Sequence, residues 1–128
     1  MKILIVEDDF LSRKLMLTYL SQLGECDVAA NGTEAVEAFM MAGNMGKSYD
    51  LITLDIMMPD LSGQEVLKQI RYIEEEAGLP GVKIIMTTAL KDSPSIMEAF
   101  KNQCDGYLPK PIESGKLWEM LRELRLID

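Results

Sequence analysis

The sequence has no histidine and only two cysteines. Without histidine the commonest general base and transition-metal ligand are missing, and Ser-His-Asp, Cys-His and zinc-hydrolase chemistry go with it. Any catalysis must rest on carboxylates, lysines or hydroxyls. Cys26 and Cys104 are too few for a disulfide framework, and their apolar flanks read as reduced thiols in the core of a cytoplasmic protein. Basic residues are also scarce: 13 Lys and Arg against 21 Asp and Glu leave a net charge of −8, which argues against a nonspecific grip on nucleic acid or anionic lipid. Long apolar runs are lacking near the N-terminus, where Ile3 to Val6 is followed at once by Glu7, Asp8 and Asp9, so neither a signal peptide nor a membrane span is read there. With 9 Gly and 5 Pro, collagen-like and low-complexity classes are excluded.

What is present is a globular pattern. At 128 residues and 48% hydrophobic content, a single domain over 1–128 with a real core is expected. Short apolar runs at Lys2 to Val6, Cys26 to Ala29, Leu51 to Leu54, Val82 to Thr87 and Gly106 to Leu108 alternate with segments of helical period. The first helix is expected from about Phe10 to Gln22, burying Leu15, Met16, Tyr19, Leu20 and Leu23, stopping at Gly24 and leaving Arg13 and Lys14 in water. Capping boxes at Asn31 to Glu34 and Ser62 to Glu65 open the second and third helices, and Ser93-Pro94 opens a fourth that buries Ile96, Met97, Phe100 and Cys104. Leu117, Met120, Leu121 and Leu124 mark the fifth. Strict alternation of strands and helices predicts a flavodoxin-like, doubly wound α/β fold, with a five-stranded parallel sheet in order 2-1-3-4-5 and five helices.

In such a fold ligands sit at the carboxyl ends of the strands. Those ends carry Glu7, Asp8 and Asp9, then Asp55, then Thr87 and Thr88, then Lys110. Like charges at ~4 Å repel by about 4 kcal/mol at an effective dielectric of 20, so a cluster of Glu7, Asp8 and Asp55 calls for a cation or raised pKa values. Carboxylates without His or Cys suit a hard ion, and a shallow hydrated site suits Mg²⁺. Asp55 could then attack a phosphoryl group as a nucleophile, with the metal and Lys110 neutralising its oxygens and Thr88 hydrogen-bonding to it. Taken singly, each of these residues reads equally well as a helix cap, a turn residue or a strand former; their convergence on one crevice favours the chemical reading.

The segments Ile3 to Asp9, Asp50 to Gly63, Ile85 to Ala89 and Gly106 to Pro111 together resemble a response-regulator receiver domain of two-component phosphorelays, over essentially the whole chain and with four motifs in the family's order. The resemblance implies that Asp55 accepts phosphate and that Glu7, Asp8, Asp55 and the Met57 carbonyl hold Mg²⁺, with Asp9 outside the metal pair. It further implies that Thr88 and Lys110 bind the phosphoryl group, that Tyr107 changes rotamer on activation, and that the Lys110-Pro111 bond is cis. The donor would be a sensor histidine kinase or a histidine phosphotransfer protein. The expected product is a signalling switch rather than a turnover enzyme, acting through the face of the fourth helix, fifth strand and fifth helix on another protein. With the chain ending at Asp128, no output domain is expected after that helix, although a domain excised from a longer regulator would read the same way.

Two departures from the family pattern carry expectations. Gln103 and Cys104 replace the usual Gly and Ala, so Asn102 or Gln103 must end the fourth helix. Met57 and Leu90 place apolar side chains at the two positions that, in the family it resembles, tune the access of water to the acyl phosphate, which implies slow self-dephosphorylation. Three rivals stand beside this reading. A flavin carrier would meet repulsion from Glu7 to Asp9, and an aspartyl-phosphate phosphatase would want an acid-base Asp where Met57 stands. A receiver-like binding module that works without phosphorylation is disfavoured by intact Asp55, Thr88 and Lys110.

Overall fold

The computed structural model describes residues 1–89 and 93–128. Five strands, β1 (Lys2–Val6), β2 (Glu25–Ala29), β3 (Leu51–Asp55), β4 (Lys83–Thr88) and β5 (Gly106–Pro109), alternate with α1 (Phe10–Leu20), α2 (Gly32–Asn44), α3 (Gly63–Ala77), α4 (Ser93–Lys101) and α5 (Ser114–Glu123). The strands pair in parallel in the order β2-β1-β3-β4-β5, the expected topology.

Because strand side chains alternate between faces, the continuous apolar runs feed two cores. Leu4, Val6, Ile52, Leu54, Ile84 and Met86 pack with Ala35, Phe39, Val66, Leu67, Ile70 and Ala99 from α2, α3 and α4. Ile3, Ile5, Leu51 and Ile85 pack on the other face with Met16, Leu20, Leu117 and Leu121 from α1 and α5. Both expected N-caps form: Asn31 accepts from the Glu34 amide at 2.9 Å, and Ser62 accepts from the Glu65 amide at 3.3 Å, while the Glu34 carboxylate reaches back to the Ala30 amide at 2.9 Å.

Several local expectations are corrected. The first helix ends at Leu20, before Gly24, whose role is close approach: a Cβ there would lie 2.0 Å from the Met1 carbonyl oxygen, which accepts from the Glu25 amide. Leu15 is exposed, and Arg13 is partly buried rather than free in water. Cys26 is half-buried on the edge strand, while Cys104 is buried as expected. On α4 Ala99 is buried, whereas Met97 and Phe100 are 70% and 48% exposed. Gln103 does end that helix, in the left-handed region at φ 74°, with its amide bonded to Phe100 O and the Cys104 amide to Ala99 O.

Candidate functional site

Parallel strands all finish on one edge of the sheet, and the register decides which ends meet. Val6 pairs with Leu54 and Asp55 with Thr87, so Glu7, Asp55 and the end of β4 are neighbours. Glu7 and Asp55 are 4% and 3% exposed, and Asp8 is open to solvent. The ligand atoms of these three carboxylates lie within 4.8 Å of one another. From β5, Lys110 reaches into the cluster: its Nζ donates to Glu7 Oε1 at 2.5 Å and stands 3.3 Å from Asp55 Oδ2. The Lys110 amide in turn donates to Thr88 O at 2.8 Å, and the Lys110-Pro111 bond is cis.

The electrostatics follow from this crowding. Burial, reinforced by Glu7, pushes the Asp55 carboxyl up to about 7, with Lys110 and the Met57 amide pulling the other way. Burial alone would lower the Lys110 pKa, but contact with Glu7 and Asp55 more than reverses it and keeps the ammonium charged. One ammonium does not balance three carboxylates, and Glu7 Oε2 is buried with no hydrogen-bond partner among the described residues. An orphaned buried carboxylate oxygen facing an all-oxygen cluster fits a hard divalent cation.

Each expected site residue has a place. Asp9 is separate from the cluster: it caps α1, accepting from the Ser12 amide at 2.8 Å, and that bond lowers its pKa. The Met57 amide donates to Asp55 Oδ1 at 3.3 Å while its side chain is 60% exposed. Thr88 is fully buried at the end of β4. Tyr107, on β5, is half-buried and meets Phe100 edge to face at 6.3 Å. Leu90 lies outside the described residues.

Three contributors escaped the sequence reading. Arg13 donates to the Glu7 carbonyl at 2.9 Å, bracing the end of β1. Gly63 is required because a Cβ there would lie 2.2 Å from Asp55 O. Asp60 caps α2 from a distance of 28 residues along the chain. Only Gly63 left a signal, as a glycine at the first position of a helix, where a better helix former would be favoured unless space forbade it. Among the described residues the cavity beside Glu7 and Lys110 measures about 60 Å³.

The model of the response regulator receiver domain matches residues 3–122. This chain belongs to the response regulator receiver domain family. Receiver domains are signalling switches of two-component systems rather than turnover enzymes. Transcriptional regulatory protein ResD of Bacillus subtilis is 39% identical over 111 residues, covering 86% of this chain and 42% of that protein. Hybrid signal transduction histidine kinase L of Dictyostelium discoideum is 32% identical over 123 residues, 95% of this chain and 7% of that protein. The receiver thus spans less than half the length of these two curated relatives. Among solved structures, the receiver domain of the histidine kinase CKI1 from Arabidopsis thaliana, complexed with Mg²⁺ and BeF₃⁻, superposes with a TM-score of 0.84 at 26% identity, covering 98% of this chain and 90% of that one. Among the described residues no helix is long and apolar enough to cross a membrane.

Proposed function

We propose that residues 1–128 act as one phosphorylation-activated switch in the cytoplasm, with Asp55 as the phosphoacceptor. The observation that carries this reading is the buried Asp55 carboxylate at the end of β3, with Lys110 Nζ 3.3 Å away and Glu7 and Asp8 beside it. An Asp55 oxygen attacks the phosphorus of a phosphohistidine on a sensor kinase or phosphotransfer protein. The P–N bond breaks, and the imidazole leaves with its electron pair and takes a proton from water. Glu7, Asp8, Asp55 and the Met57 carbonyl would hold Mg²⁺, which supplies positive charge for the phosphoryl oxygens. Lys110 neutralises a further oxygen, and the Thr88 hydroxyl turns toward the phosphoryl group.

As Thr88 moves, Tyr107 turns inward, parting from Phe100 and altering the face of α4, β5 and α5 that an output protein reads. Exposed Met97 and Phe100 make that face adhesive. The apolar Met57 side chain shields the acyl phosphate from water, so Met57→Asn is expected to shorten its lifetime several-fold, read by mass decay.

Beryllofluoride tests the assignment, because it occupies a phosphoryl site without transfer. Bound ¹⁹F resonances are expected with Mg²⁺ in the wild type and not in Asp55→Asn. Equal resonances in both proteins, or none in either while a cognate phosphohistidine donor also fails, would point instead to a binding module that works without phosphorylation.

A further inference from the structure

The residues between β3 and α3 form a loop that contains Met57 and is fastened at both ends. At its base the Gly63 amide donates to Ile56 O at 2.9 Å, and Gly63 lies against Asp55 O with no room for a Cβ. Its far part is tied to a different helix. Asp60 Oδ1 accepts from the Gly32 amide at 3.1 Å, and Oδ2 accepts from the Thr33 amide at 3.1 Å and from Thr33 Oγ1 at 2.9 Å. Leu61 sits so close that a Cβ on Gly32 would lie 2.7 Å from both its Cβ and its carbonyl oxygen.

The helix has its own cap in Asn31, which takes the Glu34 amide. What Asp60 adds is a bond between the first turn of α2 and the loop. Partial desolvation raises the carboxyl pKa, but the amides of Gly32 and Thr33 outweigh it and hold it at about 2, so the tether is ionised throughout the working range. Asp60 does not join the acidic cluster found among the described residues, and its oxygens already serve three donors.

We propose that Asp60 is a positioning residue for the reaction at Asp55: by anchoring the loop on the N-terminus of α2, it holds the Met57 peptide in place against the Asp55 carboxylate. This rests on the reading of Asp55 and Met57 as acceptor and metal ligand. Met57 lies between the two anchors, and its amide already bonds Asp55 Oδ1. A loop released at Asp60 shifts both the carbonyl offered to the cation and the carboxylate oxygen offered to phosphorus.

Calorimetric Mg²⁺ titration of the whole chain separates the possibilities. Asp60→Ala is expected to weaken Mg²⁺ binding roughly tenfold, as loss of an outer support typically does, and to slow phosphorylation by acetyl phosphate at subsaturating Mg²⁺. Asp60→Asn keeps one acceptor oxygen for the first turn of α2 but sets an NH2 where the second oxygen accepted, so it is expected to recover only part of the affinity. Asn31→Ala removes a cap from the same helix end without touching the loop, so its melting temperature falls while its Mg²⁺ affinity stays within about twofold. The proposal is overturned if Asp60→Ala binds like wild type or if Asn31→Ala weakens binding equally. A wild type that does not bind Mg²⁺, or binds it undiminished after Asp55→Asn and Asp8→Asn, refutes the underlying site assignment instead.

Discussion

The proton on Asp55 links the site to the stability of the fold. The folded carboxyl titrates near 7 against an ordinary value of 3.8, chiefly through burial and then through Glu7. Between these values this group binds more protons in the native state than in the unfolded chain, so its destabilising contribution is absent below about 3.8 and grows as pH rises to about 7. In metal-free buffer the melting temperature is expected to fall from pH 5 to pH 8, to flatten in Asp55→Asn, and to recover when Mg²⁺ is added; a scanning-calorimetry series checks it. Gly63→Ala is expected to be damaging twice over, since its Cβ must displace Asp55 O: a loss of about 2 kcal/mol or more in urea denaturation, with impaired phosphorylation. Glu7, Asp8 and Asp55 were legible because each follows or closes an apolar run in a parallel sheet. Arg13 and Asp60 were not, since no local pattern records the contacts they make, and Gly63 left only the trace of a glycine opening a helix.

At the scale of elements, the end of the sheet opposite the acidic cluster is held by one guanidinium. Arg71 on α3 donates to Glu74 Oε1, Val82 O, Gln103 O and Asp105 Oδ2, at 2.8 to 3.0 Å. Glu74 and Asp105 then accept the Val82 and Ile84 amides at 2.6 and 2.8 Å, completing the start of β4. Arg71→Ala leaves the buried Glu74 without its cation and is expected to cost about 3 kcal/mol, with Arg71→Lys recovering little because an ammonium lacks the fork. Equilibrium urea unfolding checks both. In contrast, Gly115 in α5 has open space around its Cβ position, so Gly115→Ala is expected to stabilise by about 0.5–1 kcal/mol in the same assay. Strands and helix N-caps were readable from apolar runs and Ser/Asn-x-x-Glu spacing. The inner face of α4 was misjudged because periodicity ranks large residues, and here small Ala99 faces the sheet while Met97 and Phe100 turn outward. Helix ends at Gln103 and Arg125, with φ of 74° and 60°, lack the glycine that usually announces them.

For the whole molecule, one topological fact organises the rest. Five parallel strands in the order 2-1-3-4-5 deliver Glu7, Asp55, Thr88 and Lys110 to a single edge, where two layers of helices shield the sheet but leave the crevice open. That architecture followed from alternation alone, and the family resemblance then placed roles on residues that the fold had gathered. What lay beyond the sequence was the balance of charge inside the crevice, where burial and one lysine leave the acids in need of a cation. The most direct test is intact mass after acetyl phosphate treatment, with and without Mg²⁺, for wild type and Asp55→Asn. The expected result is a single added phosphoryl group in the wild type with Mg²⁺ and none in the other three samples. Phosphorylation that persists in Asp55→Asn, or that is indifferent to Mg²⁺, would contradict the assignment of Asp55 as the acceptor in a metal-dependent site.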